Sequence, residues 1–98
     1  MARILIAEDE ERIVSFLEKG LRAQGFTTLS VGTGIDAAAL ARDDSFDLLI
    51  LDLGLPRLSG MEVLARLRGR GQTLAVLILT ARDATGDKIA GLDAGADD

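Results

Sequence analysis

The chain has 98 residues, the size of one small domain, and 48% of them are hydrophobic, which is enough for a buried core. Its formal net charge of −5 argues against this chain gripping a nucleic-acid backbone by itself. It contains neither cysteine nor histidine, which excludes disulfides, thiolate metal sites and histidine-based catalysis.

The first predicted strand and helix are joined by acidic residues. The apolar run within residues 3–7 is typical of a short strand buried on both faces. Acids follow it at 8–11, and apolar side chains then recur at helical spacing. Because acids suit the positive end of a helix dipole and Gly25 is typical of a helix end, we expect a helix over residues 11–24.

The second strand and helix are predicted to be shorter. Residues 27–31 are rich in β-branched side chains, which favour a strand. Thr33 can cap a helix over residues 35–42, where successive alanines favour the helical conformation.

The third predicted strand is the one around which the chain is organised. Leu48 to Leu51 form an unbroken aliphatic run that ends at Asp52, as expected of the central strand of a parallel sheet. Ligands of open α/β sheets bind outside the carboxyl ends of the strands. Asp52 is therefore expected where such folds carry out their chemistry.

The last part of the chain continues the alternation of strand and helix. An amphipathic helix is predicted over residues 61–67, a fourth strand over 74–79 that ends at Thr80, and a weaker helix over about 86–94. Strict alternation of this kind indicates a parallel sheet with helices on both faces and right-handed crossovers.

Acidic residues follow two of the predicted strands. If the first and third strands are neighbours, Glu8, Asp9 and Asp52 converge, and like charges so close would raise each other's pKa. A divalent cation resolves that conflict, and oxygen-only ligands suit Mg²⁺. We therefore predict a magnesium site at these three residues, and we interpret Glu10 and Glu11 as helix-end or solvated acids.

Together these motifs resemble the receiver domain of two-component response regulators. The resemblance covers Ile4 to Asp98 and rests on Glu8-Asp9, Asp52, Leu55-Pro56, Gly60, Thr80-Ala81 and Gly95-Ala96-Asp97-Asp98. It implies an α/β fold with an open, doubly wound parallel sheet in the flavodoxin-like order 2-1-3-4. It also implies a signalling domain rather than an enzyme that turns over outside substrates.

The resemblance assigns roles to particular residues. Asp52 would accept a phosphoryl group from a phosphohistidine of a sensor histidine kinase. Mg²⁺ would be held by Glu8, Asp9, Asp52 and the backbone carbonyl of Gly54, and Thr80 would hydrogen-bond the phosphoryl oxygen as a switch. The chemistry agrees, because an aspartate needs no deprotonation at pH 7 and phosphoryl transfer depends mainly on positioning and charge neutralisation.

The resemblance also bears on the output. The run at 87–98 is similar to receivers joined to winged-helix DNA-binding domains, which implies transcription regulation through a domain outside this chain. It implies a homodimer face on the fourth helix that includes Lys88, Asp93, Asp97 and Asp98, although a merely solvated charged helix is the alternative.

Residues 1–98 are expected to be one receiver domain that is incomplete at its C-terminus. The family's fifth strand and helix, with a lysine and an aromatic residue on that strand, have no counterpart in the sequence. No signal peptide or membrane-length apolar run is found, so we expect a cytoplasmic protein that does not contact membranes.

Two other functions remain open from the sequence. Residues 32–37 fit the dinucleotide-binding pattern GxGxxA, and Asp52 lies about 20 residues on, where a ribose-binding acid would be. That reading leaves Glu8-Asp9 with no role. A phosphohydrolase with an aspartate nucleophile would usually have a second acid two residues after it, but that position is Gly54.

Overall fold

The computed structural model describes residues 2–43 and 45–79, which form strands and helices in alternation. The elements are β1 (Arg3–Ala7), α1 (Glu11–Ala23), β2 (Thr27–Val31), α2 (Gly34–Leu40), β3 (Leu48–Asp52), α3 (Gly60–Gly69) and β4 (Ala75–Leu79). All seven elements predicted within this part of the chain are confirmed, and no bound differs from its prediction by more than two residues. The helix predicted over 86–94 lies outside the described residues.

The four strands form one parallel sheet in the order β2-β1-β3-β4. This confirms the flavodoxin-like order that the resemblance implied. β1 lies directly beside β3, with Ile4 opposite Leu48 and Ala7 opposite Leu51. The residues that follow β1 therefore emerge next to the end of β3.

The central strands are buried on both faces, as their unbroken apolar runs predict. Leu5, Leu49 and Leu51 are fully buried in the larger core cluster, whereas Ile6 and Ile50 belong to a second cluster on the other face. The larger cluster includes side chains of α2 and α3, and the smaller one is packed by residues of α1. Each fully buried aliphatic side chain contributes about 1.5–3 kcal/mol, so these strands form a rigid platform.

Side-chain caps fix where two of the helices begin. The Thr33 hydroxyl accepts a hydrogen bond from the Asp36 amide at 3.2 Å, as predicted for the start of α2. The Ser59 hydroxyl accepts one from the Glu62 amide at 3.3 Å and starts α3. Each cap satisfies an amide that the first helical turn leaves without a partner, so the loops before α2 and α3 end at defined points. In the part of the chain that the structure describes, no helix has both the length and the apolar character to cross a membrane.

Candidate metal centre

Three carboxylates meet at the carboxyl ends of β1 and β3. Glu8 and Asp9 come directly after β1, and Asp52 is the last residue of β3. Each offers a carboxylate oxygen, and these oxygens lie within 4.8 Å of one another. The structure thus brings together the three acids that the sequence predicted to converge.

The three acids differ in their exposure. Glu8 is buried with 5% of its surface exposed, Asp52 is half-buried and Asp9 is exposed. Glu8 is held from two sides, because its amide donates to the Val31 carbonyl at 3.0 Å and its Oε2 accepts from the Glu10 amide at 3.0 Å. The cluster therefore has a fixed inner carboxylate and an open side at Asp9 through which a small ion can enter.

The electrostatics of the cluster favour a bound cation. Burial raises the pKa of Glu8 above its usual value, and the negative charge of Asp52 raises it further, while the hydrogen bond from the Glu10 amide partly opposes both effects. The ion pairs of the described ranges join Arg3 to Asp43 and Arg22 to Glu18, so neither neutralises the cluster. Three carboxylate oxygens that form no ion pair with another described residue are the kind of donor that a hard divalent cation binds.

The loop after Asp52 shapes the open side of the cluster. The Gly54 amide donates to Asp52 Oδ1 at 3.2 Å, which orients the carboxylate. Leu55 then returns to the core with 6% exposure, and the Gly60 amide donates to the Leu53 carbonyl at 3.1 Å. The loop is therefore a closed turn anchored to β3, with Gly54 exposed at its outer edge.

The other predicted site residues divide into two groups. Glu10 and Glu11 are exposed and lie outside the cluster of three acids, at the cap position and in the first turn of α1. We expected them to play no part in metal binding. The predicted switch residue and dimer-face residues lie outside the described residues: Thr80, Lys88, Asp93, Asp97 and Asp98.

The GxGxxA motif makes an internal contact instead of a phosphate cradle. The amide of its second glycine, Gly34, donates to the Pro56 carbonyl at 3.1 Å, so it is not free to hold a pyrophosphate. This counts against the dinucleotide interpretation. We did not predict this contact from the sequence. The glycine at the start of the predicted helix was the available signal, because glycine also permits another backbone segment to approach closely.

Comparison with known protein families and sequences supports one assignment. Residues 4–98 match the family model of the response regulator receiver domain. The chain is similar to the response regulator protein PmrA of Pseudomonas aeruginosa, with 49% identity over 96 residues that cover 98% of this chain and 43% of that protein. It is 46% identical to the transcriptional regulatory protein TctD of Salmonella typhimurium, with the same coverage. The chain thus spans less than half the length of these curated relatives.

Solved structures agree with the sequence comparison. The receiver domain of the Francisella response regulator 1452 has a TM-score of 0.91 and 32% identity, covering 100% of this chain and 81% of that chain. The receiver domain of the sensor histidine kinase PA1611 from Pseudomonas aeruginosa has a TM-score of 0.85 and 30% identity, covering 99% of this chain and 81% of that chain. That structure has a magnesium ion coordinated in its active site cleft.

Proposed function

Because the chain belongs to the response regulator receiver domain family, we propose that Asp52 accepts a phosphoryl group from a sensor histidine kinase while Mg²⁺ is bound beside it. The observation that carries this proposal is the convergence of Glu8, Asp9 and Asp52, whose carboxylate oxygens lie within 4.8 Å of one another at the ends of β1 and β3. The magnesium-bound receiver domain of PA1611, with the same fold, gives further support.

The residues of the cluster fit Mg²⁺. All the donors are oxygens, one carboxylate is buried and fixed, and the exposed side leaves room for the waters that Mg²⁺ keeps. Glu8, Asp9, Asp52 and the backbone carbonyl of Gly54 would hold the ion, which would neutralise charge on the transferring phosphoryl oxygens.

Asp52 has the properties of the acceptor. Its carboxylate is half-buried at the end of β3, so a phosphoryl donor can reach it from solvent. In the transfer, a carboxylate oxygen of Asp52 attacks phosphorus, the phosphorus–nitrogen bond of the kinase phosphohistidine breaks, and its electron pair returns to the imidazole. The Gly54 amide, 3.2 Å from Oδ1, fixes the orientation of the carboxylate for this attack.

The switch and the output form the remaining part of the proposal. Asp52 is paired with Leu79 in the sheet register, and Thr80 is the next residue along the chain. We assign to Thr80 a hydrogen bond to the phosphoryl oxygen. The transmitted signal would be transcription regulation in the cytoplasm, through a DNA-binding domain outside this chain and a dimer face that includes Lys88, Asp93, Asp97 and Asp98.

Acyl-phosphate labelling tests the acceptor. The protein incubated with acetyl phosphate and Mg²⁺ should gain one phosphoryl group that hydroxylamine removes, and Asp52→Asn should abolish this gain. Labelling that persists in the Asn variant, or that maps to another residue, contradicts the proposal. For the metal, Asp9→Asn should weaken Mg²⁺ binding strongly, whereas Glu10→Gln should not, and equal losses from the two would exclude the proposed ligand set.

The switch has its own test. Thr80→Ala should leave Mg²⁺ affinity nearly unchanged and abolish the change in hydrogen exchange that beryllofluoride, a phosphoryl mimic, produces at residues 81–88. Thr80→Ser keeps the hydroxyl donor and should preserve that change. Identical exchange in the wild type and Thr80→Ala, at full occupancy of the mimic, would rule out a switch role.

A further inference from the structure

Gly34, the first residue of α2, is packed against the loop that follows Asp52. Its amide donates to the Pro56 carbonyl at 3.1 Å. A Cβ atom at this position would overlap the Leu58 carbonyl oxygen and would lie 2.6 Å from the Leu58 carbonyl carbon and 2.7 Å from its Cβ. Side chains do not make such short contacts, so only glycine fits between α2 and this loop.

The two residues that Gly34 contacts flank a strained position. Arg57 lies between Pro56 and Leu58 and has a φ of 66°, in the left-handed region that disfavours residues with a side chain. Strained backbone of this kind persists where surrounding contacts hold it. The hydrogen bond to Pro56 and the close contact with Leu58 hold the loop on either side of Arg57.

The other end of the same loop is fixed against Asp52 itself. A Cβ atom at Gly60 would lie 2.5 Å from the Asp52 carbonyl oxygen and 2.7 Å from the Leu53 Cα. The loop is therefore closed between two glycines, one at the start of α2 and one at the start of α3. A change at either glycine must be accommodated by residues 52–58, which include the Gly54 amide that orients the Asp52 carboxylate.

The segment before Gly34 also supports the opposite side of the cluster. The Val31 carbonyl at the end of β2 accepts a hydrogen bond from the Glu8 amide at 3.0 Å. The two ends of one short connection thus support the site: the Val31 carbonyl holds the backbone that presents Glu8, and Gly34 holds the loop that follows Asp52.

We infer that Gly34 is a positioning residue for the Asp52 site: its missing side chain and its amide hold the loop at 54–58 in the arrangement that orients Asp52 and presents Gly54. This inference rests on the proposed function, since it assigns Gly34 a role in the Mg²⁺ affinity of that site. It also gives the second glycine of the GxGxxA motif a role that does not involve a nucleotide.

Mg²⁺ titration of Gly34→Ala tests the inference against two glycine controls. Gly32→Ala makes the same chemical change in the same motif, where no heavy atom lies within 4 Å of the added Cβ and φ is not positive. Gly25→Ala introduces strain at a φ of 90° in the turn after α1, at the other end of the sheet, and so controls for general loss of stability. Gly34→Ala should weaken Mg²⁺ binding about 10-fold or more, as is typical when a group that orients a ligand is lost. Both controls should stay within about twofold of the wild type.

Amide NMR provides a readout that stability alone would not move. In Gly34→Ala without metal, the resonances of Gly54 and Leu55 should shift, while those of β1 and β4 should stay in place. If Gly34→Ala does not fold, Leu58→Gly removes the Leu58 side chain that faces Gly34 but keeps the Leu58 carbonyl, and it should also weaken Mg²⁺ binding. Wild-type affinity in a folded Gly34→Ala, or in Leu58→Gly, overturns the inference. Absence of Mg²⁺ binding by the wild type would instead overturn the proposed function on which it rests.

Discussion

Replacement of Glu8 by Gln is expected to stabilise the metal-free fold and to weaken Mg²⁺ binding. Burial and the charge of Asp52 both disfavour the ionised form of Glu8 and raise its pKa. Glutamine has nearly the same shape and keeps a side-chain oxygen that can accept the hydrogen bond from the Glu10 amide. The substitution therefore removes the unfavourable charge while retaining the contact that holds the side chain.

The size of the expected gain in the free energy of unfolding for Glu8→Gln follows from the spacing of the carboxylates. Two charges at the observed limit of 4.8 Å repel each other by about 1 kcal/mol in water and by about 3.5 kcal/mol at an effective dielectric constant near 20. Asp9 is exposed and Asp52 is half-buried, so solvent screening brings the repulsion toward the lower value. A gain of about 1–2 kcal/mol in the free energy of unfolding corresponds to a rise of several degrees in Tm for a domain of this size.

The effect of Glu8→Gln on stability should change with pH in a definite direction. Because the pKa of Glu8 is raised in the folded state, the favourable contribution of this carboxyl group to the free energy of unfolding is fully present below its usual pKa of 4.5. That contribution is lost as the pH rises through the folded-state pKa. The stability advantage of Glu8→Gln should therefore be small below that value and should grow to its full size at neutral pH.

Urea unfolding from pH 4 to pH 8, in EDTA and in excess Mg²⁺, measures both effects. At a free Mg²⁺ concentration of about 100 times Kd, the wild type should gain about 2.7 kcal/mol and Glu8→Gln much less. Glu10→Gln, the same chemical change at an exposed neighbour, should leave both quantities unchanged. A loss of stability in EDTA at neutral pH for Glu8→Gln, or equal stabilisation of wild type and variant by Mg²⁺, would refute the reasoning.

Three further predictions concern the stability of the fold and its loss at acid pH, and each can be measured by thermal or urea unfolding. Gly20→Ala, in the middle of α1 with no heavy atom within 4 Å of the added Cβ, should stabilise the fold by about 0.5–1 kcal/mol. Leu64→Ala, at a fully buried position of α3, should cost about 2–5 kcal/mol, and a cost below about 1 kcal/mol would contradict the packing described above. The pKa of Asp43 is lowered by hydrogen bonds from Ser45. The contribution of this carboxylate to the free energy of unfolding is therefore present above its usual pKa of 3.8 and is lost as the pH falls through the folded-state pKa. Asp43→Asn should therefore flatten the loss of stability below that value, opposite in sign to Glu8.

The sheet could be predicted from the sequence because burial on both faces leaves a strong signal. Leu48 to Leu51 form an apolar run with no polar interruption, and the structure places them in the central strand. The bounds of α2 were less accurate, since the prediction extended the helix to residue 42 whereas it ends at Leu40. Alanine favours a longer helix, but after Leu40 the chain tightens into a turn in which the Asp43 amide donates to the Leu40 carbonyl at 3.0 Å.

The acids of the site could be predicted because they follow strands that the sequence itself predicts. Glu8, Asp9 and Asp52 each lie at the carboxyl end of a strand, and strand order alone decides that they meet. The contact of Gly34 with Pro56 and Leu58 could not be predicted, because it depends on how α2 sits against a loop about 20 residues further along the chain. No local pattern encodes that distance.

Two features that destabilise the metal-free fold lie at the same edge of the sheet. One is the buried carboxylate of Glu8 beside Asp52, and the other is the left-handed backbone of Arg57 in the loop that Gly34 holds. Strain and unpaired charge that gather at one place indicate that function, and not stability, constrains these residues. The direction of a stability change therefore does not by itself identify a functional residue. Gly20→Ala and Glu8→Gln should both stabilise the fold, yet only the second should impair the site, because only Glu8 belongs to the cluster that we propose binds Mg²⁺.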